Sequence, residues 1–299
     1  MYPELIRVGG ITIGSYRFMA ALAFAVGATL AYRRALREGL DLRSLFWLAP
    51  LVLVSAFAGG RLLFIAVNAR MYMGDPAEAV QFWRGGFVGY GGLLGIAVIV
   101  LYVKYVAKMP VWPIADAIAP AIPAGIAIYR IGCFMAGCCY GAATSLPWGV
   151  RFPVGLPAEG PHLPLIAGTP GVPEAVPRHP TQLYEALFGV VLFAAIWWIA
   201  NRTRRRDGVI LCIVLGAYAQ WRFLVETIRD DPRGQLLLQL GPQVRSRLVW
   251  VETSLSEYLA SHPADHYVWL STSQIVSGVL VLGSLLFIHR RLSAARRHS

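Results

Sequence analysis

Arginines inside apolar segments are the residues of this chain best suited to chemistry. Arg130 lies near the end of an apolar segment that breaks into a loop of glycines and cysteines. Arg222 and Glu226 are four residues apart in another apolar segment, so they share one helix face and can pair. A charge inside a membrane helix costs roughly 2.5–3.5 kcal/mol on insertion scales and therefore indicates a functional site. Because a guanidinium is a planar fork suited to phosphate oxygens, these arginines predict an anion-binding site.

The composition places these arginines in a membrane protein. Hydrophobic residues make up 57% and charged residues 14% of the 299 residues, whereas about a quarter of a soluble domain is charged. Seven apolar segments are each near the ~20 residues that a helix needs to cross a bilayer. We therefore predict an all-α, polytopic membrane protein with seven transmembrane helices: Ser15–Tyr32, Ser44–Val67, Gly85–Val106, Pro113–Phe134, Thr181–Ile199, Gly208–Ile228 and Tyr267–Ile288.

Clusters of arginine and lysine predict the orientation of these helices. Basic residues follow the first, third, fifth and seventh spans and so share one side, which the positive-inside rule makes cytoplasmic. The N-terminus is then periplasmic and the C-terminus cytoplasmic. Residues 1–299 form one integral-membrane domain with extracytoplasmic loops over about residues 135–180 and 229–266. Because most of the net charge of +11 lies in these clusters, we expect membrane lipids, and no nucleic acid, as partners.

Polar side chains of six spans lie at the predicted outer ends. In chain order they are Tyr16 and Arg17, Arg61, Tyr90, Arg130, His179, Gln182, Tyr184 and Glu185, and Arg222 and Glu226. One interpretation is that each arginine anchors a helix or belongs to an ion pair, which suits Arg17 best. The other is that the surplus guanidinium groups bind an anion. The abundant anion in an outer leaflet is a phospholipid headgroup.

Glycines on both sides of Tyr90 have two interpretations. Gly85, Gly89 and Gly91 fit either small-residue helix packing or a close approach of backbone amides to a phosphate. We favour packing for most of them. We expect the Tyr90 hydroxyl to need a polar partner at this depth.

Three cysteines follow Arg130 on the predicted outer side. Cys133, Cys138 and Cys139 are either small packing residues, partners in a disulfide suited to an oxidising compartment, or a thiol activated by Arg130. Their spacing along the chain is not a zinc pattern, because no matching histidine or second cysteine pair follows. Cys212, in the cytoplasmic half of the sixth span, is expected in the core.

Four motifs, in this order on a seven-span frame, resemble the prolipoprotein diacylglyceryl transferase family: YRIGCFMAGCCYG, PWGVRFP, RHPTQLYEAL and WRFLVETIRDD. The resemblance implies an enzyme of the bacterial inner membrane. Such enzymes move the diacylglyceryl group of phosphatidylglycerol to the lipobox cysteine thiol of a prolipoprotein, forming a thioether and releasing glycerol 1-phosphate. The implied partners are phosphatidylglycerol and prolipoprotein signal peptides. We expect neither a cofactor nor a metal.

The family pattern also implies roles for individual residues. The catalytic candidates are Arg130, Arg222, Tyr90, His179 and Tyr16. The candidates for substrate binding are Arg61, Glu226, Gly141, Gln182, Tyr184, Cys133 and Cys138.

Three positions depart from that pattern. Well-known members have histidine, asparagine and glutamate where this chain has Tyr90, Cys133 and Cys138. That histidine is the usual candidate for the general base. In this chain Tyr90 or His179 is left to accept the proton, or the arginines lower the pKa of the acceptor thiol. Two alternatives follow: a divergent relative with another acceptor, and a non-enzymatic transporter of anionic lipid or solute.

Overall fold

The computed structural model is mostly helical. It describes residues 2, 4–8, 11–40, 46–67, 69–72, 81, 92–152, 177–203, 207–229, 235–238 and 268–297. The helices are α1 (Ser15–Arg37), α2 (Leu48–Val67), α3 (Gly92–Leu101), α4 (Val111–Ile118), α5 (Ala121–Ala136), α6 (Thr181–Thr203), α7 (Val209–Glu226) and α8 (Thr272–Arg297). A 3-10 turn, Ala69–Tyr72, follows α2, and a π-helical turn, Tyr102–Val106, follows α3.

Several of these helices are long and apolar enough to cross a membrane. Within the described residues these are α2, α6, α7 and α8, and the bent pair of α4 and α5 makes a fifth if it counts as one span. The third predicted span is described only from Gly92 onward. A helical, multi-pass architecture is therefore confirmed, while the count of seven spans stays a prediction.

The fourth predicted span, Pro113–Phe134, is not one continuous helix. The helix ends after Ile118, and the axes of α4 and α5 differ by 41°. The reason lies in the segment APAIP, because Pro120 has no N–H to continue the hydrogen bonds of α4. Pro123 is tolerated because it lies in the first turn of α5, where its missing N–H would have no partner.

The helix that carries Arg130, α5, packs against both α1 and α6. Glycines permit this close approach, since a Cβ on Gly132 would lie 2.6 Å from Met19 Cβ, and one on Gly189 would lie 2.9 Å from Pro123 O. Beside them, α6 and α7 share an apolar core that includes Ile196, Ile210 and Val214, all at most 1% exposed.

One end of the bundle is held by two buried charges. Arg34 of α1 donates from Nη2 to Ala200 O of α6 at 2.9 Å. Asp116 of α4 accepts at Oδ2 from the Gly208 amide (2.8 Å) and at Oδ1 from the Leu211 amide (3.0 Å), so it caps the N-terminus of α7. Arg130, Glu185 and Arg222 lie toward the other ends of these helices.

Two short antiparallel strand pairs depart from the predicted all-α architecture. Strand β1 (Glu4–Val8) pairs with β2 (Ile11–Gly14) immediately before α1. Strand β3 (Gln235–Leu238) pairs with β4 (Val268–Ser271) immediately before α8. The second strand pair brings together two segments near the ends of the predicted outer loop between α7 and α8.

Candidate active site

Glu185 is the carboxylate at the centre of the site. It lies in the second turn of α6, and its side chain is fully buried. Its Oε2 lies 2.6 Å from Arg130 Nη2. Its Oε1 lies 3.2 Å from Arg229 Nη1 and 3.9 Å from Arg222 Nη1. Three guanidinium groups from separate parts of the chain therefore meet at one carboxylate.

Arg222 also pairs with Glu226 one turn along α7, as the four-residue spacing predicts. We call Arg130, Arg222, Arg229, Glu185 and Glu226 the guanidinium site. Each of the five side chains is at most 9% exposed. Their formal charges are three positive and two negative. Because buried charges require compensation, this balance favours an anionic ligand.

Arg130 keeps one donor available for such a ligand. Its Nε is buried and has no hydrogen-bond partner among the residues that the structure describes. An unsatisfied buried donor costs about 1–3 kcal/mol. A phosphate oxygen beside Arg130 would accept from this N–H.

The loop after α5 is fixed to the start of α6. Thr181 Oγ1 donates to Cys139 O at 2.7 Å, and Gln182 Nε2 donates to Cys138 O at 2.6 Å. The Gly141 amide donates to the carbonyl of His179 at 2.8 Å. Gln182 and Gly141 thus position the loop beside Glu185. Their predicted contact with substrate stays a prediction.

His179 and Tyr184 form a second polar group just before and within the first turn of α6. Tyr184 Oη accepts from Trp148 Nε1 at 2.8 Å and lies 3.3 Å from His179 Nδ1. Burial lowers the pKa of His179 from its ordinary value and so favours the neutral imidazole. To act as a base through Nε2, His179 must carry its proton on Nδ1 and donate it to Tyr184 Oη.

The three cysteines after Arg130 converge in space. Their Sγ atoms all lie within 4.8 Å of one another. All three are free thiols in the structure, so the disulfide considered from the sequence is not formed. Hydrogen bonds with the thiols of Cys133 and Cys138, and then the charges of Arg229 and Arg130, lower the pKa of the Cys139 thiol. We call Cys133, Cys138 and Cys139 the thiol cluster.

Comparison with known proteins decides the family of this chain. The sequence matches the family model described as prolipoprotein diacylglyceryl transferase over residues 3–290. The chain belongs to this family.

Curated relatives agree. The phosphatidylglycerol–prolipoprotein diacylglyceryl transferase of Geobacter sulfurreducens is 35% identical over 248 residues, covering 80% of this chain and 86% of that protein. The enzyme of the same name from Bordetella parapertussis is 32% identical over 244 residues, with the same coverage of both chains. A third, from Solidesulfovibrio magneticus, is 32% identical over 296 residues, covering 97% of this chain and 94% of its own.

Tyr16 and Tyr129 connect the start of α1 to the guanidinium site of this family member. Their hydroxyl oxygens lie 2.6 Å apart. The Tyr129 ring centroid lies 5.9 Å from Arg130 Cζ, a cation–π distance. Tyr16 therefore reaches Arg130 through Tyr129.

Two other predicted residues are less closely placed. Arg61 of α2 is buried, donates to Gln81 O at 3.4 Å and lies 5.8 Å from the Tyr72 ring centroid. Its share in the anion site stays a prediction. Tyr90 lies outside the described residues. Arg17 is exposed, as expected for an anchor.

Three residues in or beside the guanidinium site carry little signal in the sequence. Glu185 closes the motif RHPTQLYE but indicates there only a charge that opposes the arginines. Arg229 follows the apolar span and belongs to the predicted outer loop. Tyr129, next to Arg130, carries no separate signal because aromatic residues are common in membrane helices.

Proposed function

We propose that the protein transfers the diacylglyceryl group of phosphatidylglycerol to the lipobox cysteine of prolipoproteins. Family membership supports this reaction class, because its relatives are named phosphatidylglycerol–prolipoprotein diacylglyceryl transferases. The observation that carries the proposal is the buried guanidinium site, with its net positive charge and the unsatisfied Nε of Arg130. These features fit the phosphate of an acidic lipid.

The proposed reaction develops negative charge at that phosphate. The acceptor thiolate attacks C3 of the glyceryl group, and a C–S bond forms. The C–O bond to phosphate breaks, its electron pair stays on the phosphate oxygen, and glycerol 1-phosphate leaves. Arg130 and Arg222 donate to the phosphate oxygens and stabilise this charge, while Glu185 and Glu226 hold the two guanidinium groups in position. The neutral imidazole of His179 accepts the thiol proton.

The proposed setting is the bacterial inner membrane, with seven spans, a periplasmic N-terminus and a cytoplasmic C-terminus. The hydrogen bond from Arg34 to Ala200 joins the C-terminal ends of α1 and α6. This contact supports one shared side of the membrane for the basic clusters at those two ends. The guanidinium site then lies toward the outer leaflet. A variant in which the four native cysteines are replaced by serine receives one cysteine at position 17 or at position 202 and is treated with an impermeant maleimide. Labelling from outside at position 17 alone is the expected result.

A transfer assay tests the function. Purified protein is incubated with phosphatidylglycerol vesicles and a lipobox peptide, and the mass of the peptide is measured by mass spectrometry. We expect the mass of one diacylglyceryl group to be added, and none with a peptide whose cysteine is replaced by serine. Phosphatidylcholine vesicles are the lipid control. Absence of transfer to lipobox peptides, beside an active relative in the same assay, would contradict the proposal and favour a different acceptor.

A further inference from the structure

The thiol cluster is built by the way α5 ends. Cys133 lies in the last turn of α5, and the Cys138 amide donates to its carbonyl at 3.1 Å across the left-handed Gly137 (φ 74°). This helix-terminating turn places position 138 back over position 133. Cys139 then points its sulfur to the same place. The sequence spacing showed no zinc pattern, because the three sulfurs come together only through this turn.

The cluster is also held in a strained form. Cys139 has φ 66°, in the left-handed region that non-glycine residues rarely adopt. Such a conformation costs of order 1–3 kcal/mol and persists when surrounding contacts impose it. Thr181 and Gln182 impose it through their hydrogen bonds to the carbonyls of Cys139 and Cys138. Small packing residues alone do not require this arrangement.

Three convergent sulfurs suit a thiophilic metal ion. Zinc binds thiolate at about 2.3 Å, so two ligands of a tetrahedral site are about 3.8 Å apart. The three Sγ atoms all lie within 4.8 Å of one another, so their separations are at most about 1 Å wider than that spacing. Three protein ligands leave the fourth position open, as in catalytic zinc sites. Cys139 is the partly exposed member and gives access to it.

The charge of a divalent ion also suits three thiolates. Zinc with three thiolates has one net negative charge, whereas a monovalent ion with the same three ligands would have two.

We propose that Cys133, Cys138 and Cys139 bind one zinc ion, whose open position takes the acceptor cysteine as a thiolate. This inference rests on the proposed function. It supplies the activation of the acceptor thiol, which is in question because position 90 is tyrosine and not histidine. A thiol that coordinates zinc loses its proton, which passes to His179 or water. The bound thiolate then forms the C–S bond at C3 as the C–O bond to phosphate breaks. No electron is gained or lost by the metal.

Metal binding is tested without reference to activity. The purified protein is stripped with a chelator under reducing conditions, then titrated with Co(II) as a spectroscopic substitute for zinc. We expect one ion per chain, a thiolate-to-cobalt charge-transfer band, and displacement of that band by Zn(II). Cys133→Ser, Cys138→Ser and Cys139→Ser lose the band. Cys212→Ser, a buried cysteine of α7 outside the cluster, keeps it and controls for folding.

The open position is tested with the acceptor. Addition of a lipobox peptide shifts the cobalt absorption, and the serine peptide does not. Stripped protein loses transfer at least tenfold and regains it with Zn(II). Three free thiols that bind neither metal, or full transfer by the stripped protein, overturn the inference but leave the proposed function standing. Cobalt binding with a peptide-dependent shift but no transfer supports the metal site and contradicts the proposed function.

Discussion

Arg130 Nη2 and Glu185 Oε2 lie 2.6 Å apart and join α5 to α6 inside the bundle. The pair is buried, since Glu185 is fully buried and Arg130 is only 8% exposed. Glu185 therefore fixes the position of the Arg130 guanidinium.

Replacement of Arg130 by lysine should lower transfer about 100-fold or more, in the range found for loss of one donor to a developing charge. Lysine keeps the charge but cannot bridge Glu185 and a phosphate with a planar fork. Initial rates with phosphatidylglycerol and a lipobox peptide measure this. Arg202→Lys, at the exposed end of α6, is the matched control. Equal rates for the two variants would refute the role of Arg130.

Glu185→Gln should destabilise the protein by about 3–5 kcal/mol, the range for breaking a buried ion pair. The change leaves three guanidinium groups with one fewer carboxylate. Thermal unfolding in detergent measures the loss. Glu38→Gln, whose carboxylate pairs with Arg34 and is 15% exposed, should lose less. A smaller shift for Glu185→Gln than for Glu38→Gln would show that Glu185 does not hold the site together.

Gly141→Ala should reduce transfer tenfold or more. An added Cβ would lie 2.5 Å from Ile228 O and 2.9 Å from His179 Cβ, so the loop must move away from the guanidinium site. Small displacements of catalytic groups lower the rate of a reaction strongly. Gly283→Ala in α8 is the control, because no atom lies within 4 Å of its added Cβ. Both variants are assayed after their insertion in the membrane has been verified.

Asp116→Ala should lower stability by about 1–2 kcal/mol, since it removes the cap of α7, and Asp116→Asn should lose less. Asp116 lies at the opposite end of the bundle from the guanidinium site. The transfer rate per folded molecule should therefore stay unchanged. Thermal unfolding and initial rates are compared for both variants. A large fall in rate at unchanged stability would contradict a purely structural role.

His179 should make stability depend on pH. Its folded-state pKa is lowered by burial, so the unfolded chain binds its proton first as the pH falls. The stabilising contribution is present above about pH 6.5, the unfolded value, and is lost as the pH falls through the lower, folded pKa. The difference in Tm between the wild type and His179→Asn, measured from pH 8 to pH 5, should therefore shrink. A constant difference would rule this out.

The parts of the site that could be predicted are those with a local signal. Arg222 and Glu226 pair because their spacing places them on one helix face. Arg130 stood out because charge is rare within an apolar segment. Contacts between distant segments had no such signal: Arg229 reaches Glu185 from beyond the end of α7, and the three thiols meet through a turn whose shape the sequence does not show.

Helix boundaries show the same division. Hydropathy predicted α6, α7 and α8 because each is a long apolar segment. The same criterion merged α4 and α5, since hydropathy is averaged over the whole segment and a few prolines do not mark where a helix ends. Attention to the missing N–H of Pro120 would have predicted the break. The two strand pairs lie in short segments beside the helices, and hydropathy does not distinguish such segments from loops.

The bend between α4 and α5 has a consequence for the position of Arg130. A rigid rod from Val111 to Ala136 would transmit every tilt of its far end to Arg130. With the bend of 41° after Ile118, α5 keeps its own alignment against α1 and α6, and α4 is tied instead to α7 through Asp116. The position of the arginine therefore depends on the packing of α5 against α1 and α6 and not on the direction of α4.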